Sequence, residues 1–134
     1  MTQILTLYAV TAVVFFGLDM IGINYLVRPV FERHVAHLLA SPLRFGPAAI
    51  FYLVYVAGLL WFVSWPAFKE HAPLQALVFG MALGFLCYGT YEMTNYATLQ
   101  AWSLQQVAVD LAWGTVLTGV SAWAGVAVVS GRLS

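Results

Sequence analysis

Hydrophobic residues in this chain come in four long runs, at 4–27, 45–66, 72–97 and 104–129, separated by shorter polar or proline-marked stretches. Each run reaches the roughly 20 residues that a helix rising 1.5 Å per residue needs to cross about 30 Å of hydrocarbon. Four transmembrane helices are therefore predicted, forming one integral membrane domain over residues 1–134. Pro29, Pro42, Pro47, Pro66 and Pro73 fall at or near the proposed ends, where a missing backbone N–H does least harm. The connections at 67–72 and 98–103 are short, so neighbouring spans should run antiparallel in an all-α, up-down bundle. The first connection is longer. Over 29–41, Phe31, Val35, Leu38 and Leu39 share one side of a helix, and Arg33, His34 and His37 share the other. That pattern predicts an amphipathic helix lying in the interface plane between spans one and two, capping one end of the bundle.

Composition agrees, since 63% of the 134 residues are hydrophobic and only 7% are charged, far from the quarter or so of charged residues in soluble domains. The first run follows no basic segment, so it is expected to stay as a span and not to be cleaved as a signal. No lipidation motif is visible. Net charge is zero and no basic stripe exists, which argues against nucleic acid as a partner. Cys87 is the single cysteine, so it has no internal disulfide partner and reads as a small filler of span three. Arg28, Arg33 and Arg44 on the first-loop face outnumber Lys69 and Arg132 on the other, placing that loop in the cytoplasm and both termini outside.

Against this background three acids stand out inside the apolar runs: Asp19, Glu92 and Asp110. Each costs roughly 2.5 to 3.5 kcal/mol near the bilayer centre, so it must be paired, protonated, hydrated or used. Counted from the nearest helix ends, their depths are roughly 12, 7.5 and 9 Å, equal within one turn. In an up-down bundle all three belong to the same face, the one capped by the amphipathic helix. Glu92 continues an i, i+4 stripe through Ala76, Gly80, Gly84 and Tyr88, and Asp110 lies on one with Gln106, Gly114, Thr118 and Ala122. Such stripes of small residues mark packing faces. Asp19 is joined by Gly22 and Asn24. Span two carries no charge and is expected to supply packing and an aromatic belt, with Tyr52 and Tyr55 near one end and Trp61 and Trp65 near the other.

The candidate ligand- or proton-binding site is therefore Asp19, Asn24, Tyr88, Tyr91, Glu92, Asn95, Asp110 and Trp113, with Thr90 and Thr94 close by. Carboxylates at one depth repel in a low dielectric, which favours taking up a proton, a cation or a polar ligand. As metal ligands, Asp19, Glu92 and Asp110 with His34 or His37 are weaker candidates, because Glu-x-x-His pairs and multiple histidine boxes are absent. A purely structural reading stands beside these, with the acids bonded to hydroxyl and indole donors or to Arg28. No serine, cysteine or histidine has nucleophile spacing, so catalysis is not the leading expectation, and no cofactor is indicated.

The motif GTYEMTNYAT at 89–98, followed by VDLAWGTVL at 109–117, resembles the predicted-membrane-protein family known as domain of unknown function 2177. Leu18 and Asp19, Phe31, the run His37, Leu38 and Leu39, and the stretch 48–58 around FYLVYVAG extend the resemblance over nearly the whole chain. That family more often has aspartate where this chain has Glu92, and tryptophan near Asn24 and Tyr25. The resemblance implies a compact four-helix protein of the bacterial inner (cytoplasmic) membrane and brings no established activity. It also implies membrane lipid as a partner, with a lipid-modifying enzyme or its accessory as one alternative function. A structural subunit of a larger membrane complex is another, and a homo-oligomer is a further expectation.

Overall fold

Two of the long helices run through a proline instead of stopping at it. In the computed structural model, which describes residues 2–39 and 44–131, helix α1 (Thr2–Gly22) passes through a π-helical turn at Ile23–Val27 into α2 (Arg28–Val35) and a last tight turn at Ala36–Leu38. Span two repeats the device: α3 (Phe45–Leu59), a π turn at Leu60–Ser64, then α4 (Trp65–Lys69). Arg28 N–H donates to the Ile23 carbonyl and Trp65 N–H to the Leu60 carbonyl, five residues back, each just ahead of a proline. Proline has no N–H to offer and its ring collides with the carbonyl four residues earlier, so a wider turn relieves both problems. Pro29 and Pro66 therefore lie inside helices, not at their ends. Pro73 opens α5 (Pro73–Thr98), and Ser103 caps α6 (Leu104–Ser130) in a reciprocal box with Gln106. Four stretches are long and apolar enough to span a membrane: Thr2–Leu38, Phe45–Lys69, Pro73–Thr98 and Leu104–Ser130.

Helix α6 is the centre of the bundle. Against α5 it packs backbone to backbone: a Cβ at Gly80 would lie 2.9 Å from Gly119 Cα, and one at Gly84 would lie 2.6 Å from the Gly114 carbonyl oxygen. Against α1, Gly125 faces Thr11 and Leu7, and Trp113 lies over Gly22. Both registers are antiparallel. Lipid tails are as apolar as leucine, so close approach and dispersion, not hydrophobic burial, hold such seams together.

Helix α2 continues span one and turns Val30 and Val35 inward. Val35 packs with Trp102 and Val107, and Phe31 and Ala101 close around them. Arg33 Nη1 donates to Gln105 Oε1 at 3.3 Å, and His34 Nε2 lies 3.0 Å from the same oxygen. These contacts join the amphipathic segment to the turn between α5 and α6, and it runs on from span one as part of one helical stretch, Thr2–Leu38. Leu38 is exposed, and positions 40 and 41 of the expected helix lie outside the described residues. Span two is the loosest element at this end: every residue from 44 to 51 is exposed.

Candidate functional site

The buried residues of α1 are Leu7, Thr11, Phe15, Asp19 and Gly22, one inward stripe at helical spacing. Asp19 is on that stripe for the same geometric reason as its apolar neighbours. In α5 the stripe runs Pro73, Ala76, Gly80, Gly84 and Glu92, and in α6 both Asp110 and Gly114 are buried. Glycine at 114 leaves the space that the Tyr88 ring fills. Three helices thereby bring their acids to one level, with exposures of 5% for Asp19, 0% for Glu92 and 7% for Asp110.

Asp110 is the acid that interacts with both of the others, with Glu92 and with Asp19. Glu92 Oε1 accepts from the Trp102 indole N–H at 2.9 Å. Its second oxygen, Oε2, is buried with no donor. A carboxylate facing a carboxylate offers only acceptors, so this pair is complete only when a proton, a cation or a ligand's donor enters it. Tyr52 and Trp113 flank Asp19, and Trp113 Nε1 is buried without closing a hydrogen bond.

Asp19 and Asp110 border a cavity of about 750 Å³. All four spans contribute walls, among them Tyr52 and Tyr55 from α3, Tyr88 and Tyr91 from α5, and Trp113 from α6. A volume of that size accommodates a small molecule or part of a lipid. Glu92 lies behind Asp110, outside the lining. A family model described as predicted membrane protein (DUF2177) matches residues 4–127.

The chain belongs to that family. No curated protein and no solved structure matches it. The region shared with DUF2177 contains all three acids of the layer.

Of the residues expected at the site in this DUF2177 member, Asp19, Tyr88, Tyr91, Asp110 and Trp113 line the cavity, and Glu92 backs it. Thr90 also lines it, with its hydroxyl turned back to the Leu86 carbonyl. Asn95 is half-buried beside Tyr91. Asn24 is exposed and donates to the Met20 carbonyl, away from the acids. His34 is held by Gln105, His37 is exposed, and Arg28 pairs with Glu32 at 2.8 Å on the surface. Among the described residues no group of three His, Cys, Asp or Glu side chains is placed to share a metal ion.

Four residues that the sequence did not point to for the site also contribute. Trp102 belongs to a short connection and reaches Glu92 only because that connection folds back over α5. Gln106 has been drawn fully inward by its capping role, leaving Nε2 without an acceptor. Tyr52 and Tyr55, expected in an aromatic belt, instead face the interior, where Tyr55 Oη lies 2.9 Å from Thr118 Oγ1. Spacing by four aligns Tyr52 with Val56 and Tyr55 with Leu59, and the burial of that face in the structure turns both rings inward. The variant Tyr55→Phe is expected to lower stability by about 1 kcal/mol through loss of that bond. Chemical unfolding of reconstituted protein measures it, and a change below a few tenths of this size would mean the bond contributes little.

Proposed function

We propose that this protein is a membrane-embedded receptor for a proton-donating or cationic polar group, taken up at the Asp19, Asp110 and Glu92 layer. The observation carrying this reading is the buried, donorless Oε2 of Glu92, in a carboxyl group that interacts with Asp110, which itself borders the cavity. A chain that served only to hold helices together would gain more by replacing these acids with apolar groups of similar shape. We further place the protein in the bacterial inner membrane, with the first loop in the cytoplasm.

Infrared difference spectroscopy on the full chain in nanodiscs tests the reading, with methylammonium as the probe. Adding it is expected to change a carboxyl stretching band, and Glu92→Gln and Asp110→Asn are each expected to abolish most of that change while leaving thermal unfolding within a few degrees of the parent. A silent spectrum in the parent would refute the reading. Loss of folding in both variants, together with no response of the parent, would assign the acids to architecture.

A further inference from the structure

The cavity has a bottom and a side, and the two differ in chemistry. At the bottom are Asp19 and Asp110, flanked by tyrosine and tryptophan rings; among the described lining residues there is no Lys, Arg or His. The side is apolar and lies between spans two and three. Ala48 and Phe51 line it from the exposed first half of α3, and Leu86, Cys87 and Thr90 line it from the facing part of α5, all of them exposed. In a bilayer, exposure at these positions means contact with acyl chains, because they lie within the spans. The opening therefore faces hydrocarbon.

We infer that the ligand is an amphiphile with an ammonium head and no nearby anionic group, entering sideways between α3 and α5. This rests on the receptor reading above and names the class of ligand. Its head reaches Asp19 and Asp110, where aromatic faces add cation–π attraction, while its alkyl chain occupies the apolar side and trails into the membrane. Charge complementarity decides the head group. An alkyl sulfate or a phosphate would meet two carboxylates and no cation, and Arg28, the cationic side chain on the neighbouring turn, is already engaged by Glu32. A zwitterionic phospholipid is disfavoured because its phosphate is two carbons from its amine.

Native mass spectrometry of the full chain released from nanodiscs tests this, with tetradecylamine, tetradecyl sulfate and phosphatidylethanolamine as probes. The unaltered chain is expected to retain one tetradecylamine in preference to the sulfate by on the order of tenfold. Thr90→Trp, which adds a bulky ring at the side opening and leaves all three acids in place, is expected to lose it. Equal retention of amine and sulfate would show a slot that reads tails alone, and retention of phosphatidylethanolamine as strong as that of the amine would refute the head-group assignment. Undiminished amine binding by a folded Thr90→Trp would refute the lateral route. If tetradecylamine is not retained although methylammonium still perturbs the carboxyl band, the amphiphile inference falls and the acid-layer receptor stands; silence in both experiments removes both.

Discussion

Gly84→Ala is expected to destabilise the reconstituted protein by about 1 to 2 kcal/mol, whereas Gly58→Ala should leave it unchanged or slightly more stable. The same methyl is added to the same kind of helix, but its surroundings differ. At position 84 it would meet the Gly114 carbonyl oxygen at 2.6 Å and Thr118 Cβ at 2.8 Å, and neither can swing aside. At position 58 nothing lies within 4 Å, so only the general preference of helices for alanine remains. Unfolding in mixed micelles of rising denaturing-detergent content compares the two directly. Equal midpoints would mean that α5 and α6 are not held at the distance described. Because Glu92 and Asp110 are two turns further along this seam, a loosened seam should also weaken the carboxyl response to methylammonium.

Trp102→Phe is expected to have the second large effect. It removes the indole donor from Glu92 Oε1 and leaves a fully buried carboxyl with no protein donor on either oxygen. An orphaned buried acceptor costs about 1 to 3 kcal/mol, and more when it is charged. The companion variant separates this from lost packing against Phe31 and Tyr91, which also touch the Trp102 ring. In the double variant Trp102→Phe with Glu92→Met, the unsatisfied acceptor is gone and most of the loss should be recovered. If the double variant is as unstable as the sum of the single ones, Trp102 acts through its ring and not through its N–H.

The spans were legible because their signal is local. A run of apolar residues about 20 long has one stable fate in a bilayer, and the i, i+4 positions of small residues in α5 and α6 report a packing face regardless of what they pack against. The acid layer followed from the same arithmetic: helical rise converts residue number into depth, and an up-down order puts the end of span one, the end of span three and the start of span four on one side. The prolines misled at 29 and 66, where one extra carbonyl of spacing lets the helix continue. Propensity speaks against proline in a helix interior, and only the backbone hydrogen bonds reveal the π turn that carries it.

Hydropathy and helical spacing alone thus settled a four-span membrane protein with Asp19, Glu92 and Asp110 brought to one level, since rise and periodicity are properties of each helix by itself. The tertiary structure was needed for everything that depends on how the helices lean against one another. It brought Asp110 into interaction with both other acids, carried the Trp102 N–H to Glu92 across a turn, and rotated Tyr52 and Tyr55 from a lipid belt into the interior. The joining of exposed residues of α3 and α5, such as Phe51 and Thr90, in the wall of one cavity belongs with these. Such features depend on crossing angles and on glycine-wide approaches between residues far apart in the chain, and no local pattern of polar and apolar positions encodes that spacing.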